Sequence, residues 1–85
     1  MEIEGRVEAI GNENNNGHEK KVITLATGKD NVLFVEFQGR NRGLVKDVST
    51  GDRVRIKIRF NGKVSNLGRR YNNIIGKSLT KREQL

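Results

Sequence analysis

Apolar and polar residues alternate along most of this chain, the period of strands with one buried and one wet face. From Glu2 to Ile10, the residues Ile3, Val7 and Ala9 share one face against Glu2, Glu4, Arg6 and Glu8, which predicts a first strand. Gly5 interrupts the apolar face, where a bend or the close approach of another backbone is expected. Gly11 to Gly17, rich in Asn and Gly, reads as a loop. Lys20 to Ala26 predicts a second strand, closed by Thr27-Gly28-Lys29-Asp30. The third, Asn31 to Gln38, sets Leu33, Val35 and Phe37 on an apolar face and Phe34 beside Glu36 and Gln38 on the other. Leu44, Val45 and Val48 have helical spacing, so Gly39 to Val48 predicts one short helix. Gly43 weakens it by about 1 kcal/mol against alanine. A fourth strand follows from Arg53 to Phe60, with Val54, Ile56, Ile58 and Phe60 alternating with Arg53, Arg55, Lys57 and Arg59. Asn61-Gly62 suits a type I′ hairpin turn. Ser65-Asn66-Leu67-Gly68 is a second loop, and Arg70 to Leu79 predicts the fifth strand.

Three strands, a short helix and two strands are the element order of an all-β, five-stranded Greek-key OB-fold barrel, with its one short helix between strands three and four. An SH3-like barrel has a similar strand count, but its helical turn comes before the last strand. Residues 1–80 make a single domain and 81–85 a frayed tail. At this length a chain buries only about 60–65% of its unfolded surface, so the core is modest. Phe37 and Phe60 lie on apolar faces and belong to it.

Charge changes the picture more than composition does. The net charge is +7 and the pI near 10.3. Between Arg53 and Arg82 stand ten basic residues and no acid, while the first 52 residues carry seven basic and nine acidic side chains. So lopsided a surface asks for a polyanion, and nucleic acid is the expected one. The basic residues lie at strand period rather than helical period, which disfavours a basic membrane-surface helix. With no cysteine there are no disulfides or thiolate metal sites. His18 is alone in a polar loop, no nucleophile has a base nearby, and the carboxylates form no catalytic pair. The expectation is a non-catalytic cytoplasmic protein without cofactor or metal, since no apolar stretch approaches membrane-span length and the N-terminus lacks a signal peptide's pattern.

Gly68-Arg69-Arg70-Tyr71-Asn72-Asn73-Ile74 closely resembles a Gly-Arg-aromatic-Tyr-Asn-Asp-Ile segment of a family of small, largely uncharacterised bacterial OB-fold proteins, similar by fold to single-stranded DNA-binding proteins. Phe37-Gln38-Gly39, Thr50-Gly51-Asp52-Arg53-Val54 and Glu2-Ile3-Glu4-Gly5-Arg6-Val7 match as well. The resemblance implies the same fold and single-stranded DNA as ligand. The chain departs from it where Arg70 and Lys77 replace aromatics, exchanging stacking surface for charge. Its loop after strand one is also short, and its tail lacks an acidic run.

The candidate site follows from these residues. Arg53, Arg55, Lys57 and Arg59 form a row spaced about 7 Å apart along one strand face, a spacing that could track phosphates. In an OB barrel, however, strand one pairs with strand four, so Glu2, Glu4 and Glu8 are expected to balance much of this row. Lys63, Arg69 and Arg70 have no acidic neighbour in sequence and are the stronger phosphate contacts. Phe34 and Tyr71 are the candidate stacking platforms, against the ordinary role of a ring capping a small core. Lys77, Arg40 and Arg42 complete the set; two cations at a helix start are unfavourable unless an anion lies nearby. With three phenylalanines and one tyrosine, sequence-tolerant binding of single-stranded DNA is favoured over base reading. RNA or ribosome association, or docking to an acidic protein, would use the same cations. A homodimer would raise affinity by linking two small sites.

Overall fold

The computed structural model describes residues 1–82, apart from the side chains of Asn15 and Tyr71. Five strands and one short helix follow each other as β1 (Glu2–Asn15), β2 (His18–Gly28), β3 (Asn31–Gln38), a 3-10 helix (Gly39–Val45), β4 (Arg53–Val64) and β5 (Arg70–Lys81). The sheet closes in a ring in the order β1-β2-β3-β5-β4. All neighbours are antiparallel except β3 and β5, which meet in parallel at Val35↔Ile74 and Glu36↔Ile75.

Closure depends on β1, which serves two partners. Glu2 to Arg6 pairs with β4, and Arg6 to Asn15 pairs with β2. Gly5 sits at the changeover, where a Cβ would collide with the Ala26 carbonyl and the Leu25 side chain. This is the close backbone approach that its place on the apolar face predicts. One register shift follows, between Val7 and Ala9, leaving Glu8 as the extra residue. The bulge exchanges the faces of the strand, so Ala9 is exposed and Ile10 packs against the core instead. The interior is otherwise the alternation read out: Val7, Ile23, Leu25, Val35, Phe37, Val54 and Ile56 are fully buried. Each contributes about 1.5–3 kcal/mol. Val45 and Val48 close one end of the ring from the 3-10 helix and the turn after it.

The strands are longer than their apolar pattern, and the turns move accordingly. The expected loop from Gly11 to Gly17 is sheet, paired from Gly11↔Val22 to Asn15↔His18. Its turn is Asn16-Gly17, both at positive φ (51° and 83°), as a type I′ turn requires. Asn61-Gly62, by contrast, is not a turn but lies inside β4 opposite Asn73 and Asn72. A turn there would set Ile58 against Ser65, whereas the observed register sets Ile56 against Leu79 and leaves the bend to Ser65–Gly68, with Gly68 at φ 80°. β5 also continues to Lys81, and the Arg82 N–H donates to the Arg53 carbonyl at 2.8 Å. Only 83–85 of the expected tail remain beyond it, outside the described residues.

Phe60, like Ala9, lies outside the core that the alternation predicts. It is 54% exposed, although it continues the inward series Val54, Ile56, Ile58. β4 pairs with β1 only as far as Lys57, so Arg59 and Phe60 have β5 on one side and an open edge on the other. The β1–β2 hairpin projects in the same way, and the molecule measures 48 × 27 × 20 Å. No helix among the described residues is long and apolar enough to cross a membrane.

Gly76 gives a direct test of the packing, because a Cβ there would run into the ring of fully buried Phe37. Gly76→Ala is expected to destabilise by about 1–3 kcal/mol, the range for overpacking a filled core. Gly11→Ala, with open space around it, serves as the control. Urea denaturation midpoints compare the two; equal midpoints would contradict this packing.

Candidate nucleic-acid interface

The ring presents the outward residues of β2, β3, β5 and β4 as one curved surface with a projecting arm at each side. Alternation on β3 buries Val35 and Phe37 and turns Phe34 outward, where it is 60% exposed. Because β3 and β5 pair at only two positions, a cleft of about 390 Å³ opens between their N-terminal halves. Its lining includes Val32, Phe34, Asn72 and Asn73. Ile75 also faces outward, level with Glu36 on β3 and Arg59 on β4, yet is buried. A second cleft of about 860 Å³ is lined by the Asn16-Gly17 turn, Gln38, Arg42 and Lys63, so side chains of both arms share one wall.

The long basic stretch divides by pairing. Register sets Glu2 opposite Lys57 and Glu4 opposite Arg55. Arg55 bridges Glu4 at 2.6 Å and Glu2 at 3.7 Å, and Arg82 reaches Glu4 at 2.8 Å. Glu8 does not join them; it pairs with Arg6 on its own strand at 2.8 Å. Lys81 contacts Asp52 at 3.3 Å and donates to the Asp47 carbonyl at 3.1 Å. Arg55, Lys81 and Arg82 are therefore engaged in holding β1, β4 and β5 together. Among the described residues, no carboxylate lies within ion-pair distance of Arg53, Lys57, Arg59, Lys63, Arg69, Arg70 or Lys77. All seven are exposed. Lys77 is the extra residue of a bulge in β5, between Lys57↔Ser78 and Ile58↔Gly76, and a bulge re-aims a side chain outward.

The remaining predicted residues are less free. Arg42 bridges Glu19 at 2.9 Å and donates to the Gly39 carbonyl, so an internal carboxylate answers the charge at the helix start. Arg40 is exposed, with no ion pair among the described residues. Lys20, which is not among the predicted site residues, bridges Glu36 at 2.7 Å and Glu13 at 3.9 Å. Tyr71 stands on β5 opposite Lys63, but its side chain lies outside the described residues. The structure thus brings together Phe34 with the β5 start, and Arg42 with Lys63. It separates Arg55 from them as a structural cation. Asn72, Asn73 and Val32 are cleft residues that periodicity does not single out, since their place comes from the gap between β3 and β5. Among the described residues no cluster of His, Cys, Asp or Glu could hold a metal ion. No protein-family model and no curated protein matches this sequence.

Two carboxylates titrate below their ordinary range for reasons visible in this pairing. Hydrogen bonds from Arg55 and then Arg82 hold Glu4 below its usual 4.5. The Ser49 N–H, at 2.8 Å, and then Lys81 hold Asp52 below 3.8. Folding therefore favours the charged forms. That stability is present above the ordinary values and is lost as pH falls through the depressed ones. Thermal melts followed by circular dichroism are expected to show a midpoint that drops on acidification below pH 4.5. In Glu4→Gln the drop is smaller; equal acid sensitivity of the two chains would contradict the pairing.

Proposed function

We propose that this chain is a non-catalytic OB-fold protein that binds single-stranded DNA with little sequence preference. The strand order β1-β2-β3-β5-β4, with a short helix between β3 and β4, supports that fold, whose β2–β3 face and flanking hairpins hold oligonucleotides. The carrying observation is Phe34: a phenylalanine 60% exposed over the cleft, beside an arm whose Lys63, Arg69 and Arg70 have no acid among them. One ring stacks a base of any identity, and the arm cations take the phosphates on either side. Lys57, Arg59 and Lys77 extend the phosphate path along the outer face of β4 and β5. Arg40 and Arg42, on the 3-10 helix, border it where the second cleft brings Arg42 to Lys63, and Arg55 contributes least, being already paired. Tyr71 adds a second platform on the same strand as the cleft asparagines.

Fluorescence anisotropy with matched single-stranded DNA, duplex DNA and RNA tests this directly. Neutralising three to five phosphates predicts that log K falls with log salt at a slope of roughly −2 to −3.5. A salt-insensitive interaction, or preference for duplex, would overturn the reading. Preference for RNA would reassign the ligand, and binding to none would favour an acidic protein partner. Joint replacement Arg69→Ala and Arg70→Ala is expected to flatten the slope by about 1.4, two single-strand phosphates' worth. Phe34→Ala is expected to cost about 1–3 kcal/mol of affinity with no change of slope.

A further inference from the structure

The tip of the β4–β5 arm is built unlike an ordinary surface turn. The Ser65 N–H donates to the Arg69 carbonyl at 2.8 Å, and the Gly68 N–H donates to the Ser65 carbonyl at 2.9 Å. The Arg69 N–H donates to Ser65 Oγ at 3.1 Å. With Gly68 at φ 80°, this is a three-residue hairpin connection closed by a left-handed glycine. The backbone fixes such a turn, and polar residues usually occupy its centre. Here the centre holds Leu67, 85% exposed, and Val64 beside the turn is 69% exposed. Lys63, Arg69 and Arg70 flank the two, and no carboxylate lies between Arg53 and Arg82.

An apolar point on a hairpin whose charged residues are all cationic matches a partner with phosphates outside and apolar faces within. Stacked bases are such a partner, and proteins that kink DNA insert aliphatic side chains between base steps for this reason. We propose that Leu67 is a wedge: at a junction of duplex and single strand it inserts against the terminal base pair, while Lys63, Arg69 and Arg70 hold the adjoining phosphates. The inference rests on the reading that the cleft holds single-stranded DNA, and it adds where that strand comes from. The single strand leaves the duplex at the arm tip and runs toward Asn72, Asn73 and Phe34. Asn72 and Asn73 line the cleft with both amide donors and acceptors, the pair of functions that base edges present, which favours a nucleic-acid strand over an anionic lipid surface.

The test uses a duplex with a single-stranded tail and 2-aminopurine in the base pair next to the tail, alongside plain oligothymidine and phosphatidylglycerol vesicles. The native chain is expected to raise 2-aminopurine fluorescence, because the base unstacks. Leu67→Asn is expected to lose that rise and to weaken binding to the tailed duplex by about tenfold, the factor from burying most of one leucine. Its affinity for oligothymidine is expected to stay unchanged, and Leu67→Met to restore the rise. Leu67 is exposed, so its melting temperature checks that the fold is intact. Oligothymidine binding with no fluorescence rise, or a rise that L67N retains, overturns the wedge and leaves the binding reading standing. Failure to bind oligothymidine overturns both. Vesicle binding abolished by L67N assigns the tip to lipid and overturns the wedge.

Discussion

The register between β1 and β4 sets Ile3 against Ile56 inside the ring and Glu4 against Arg55 outside it. Closing the sheet and balancing part of its positive charge are therefore one event. A slip of one residue would turn Glu2 and Glu4 inward and Ile3 out. The missing side chain at Gly5 allows β1 to pass close over Ala26 as it leaves β4 for β2. The pairing of β1 with β4 ends at Glu2↔Lys57, with one further backbone hydrogen bond from Ile58 N–H to the Met1 carbonyl, and the glutamates reach no farther. The cations beyond that point are left without them.

The same limit produces the arms. Once β1 has left, β4 has only β5 beside it, and Phe60 stands on an open sheet edge. The outer surface then carries a division of labour. Arg55, Lys81 and Arg82 are held by Glu2, Glu4 and Asp52, whereas Lys63, Arg69 and Arg70 on the β4–β5 arm have no ion pair among the described residues. The acidic residues of the other arm are spent locally: Glu13 on Lys20 and Glu19 on Arg42. The binding proposed above uses this division, with phosphates along the β4–β5 arm and a base on the Phe34 ring in the cleft.

Much of the ring is legible in the sequence because period-two alternation records which face is buried. Leu33, Val35 and Phe37 against Phe34, and Val54, Ile56 and Ile58 against the basic row, give two faces correctly, and the glutamates opposite Arg55 follow from strand order. The arms are not legible in that way. Gly11 to Asn15 pairs with β2 yet carries no apolar alternation, so it reads as loop, and Phe60 keeps the alternation past the point where β4 loses β1, so it reads as core. Two Asn-Gly pairs compete for a turn, and only the register decides that Asn16-Gly17 bends while Asn61-Gly62 stays straight. The pairs Arg42–Glu19 and Lys20–Glu36 join residues far apart in sequence, which neighbour-by-neighbour reading of charge misses.

Backbone and side-chain chemical shifts of the labelled chain, titrated with a short oligothymidine, locate the ligand directly. The largest changes are expected at Phe34, Asn72, Asn73, Lys63, Arg69 and Arg70, with Arg53, Arg55 and the β1 glutamates little moved. Changes confined to Arg53 through Lys57, with Phe34 and the β4–β5 arm silent, would contradict this interface.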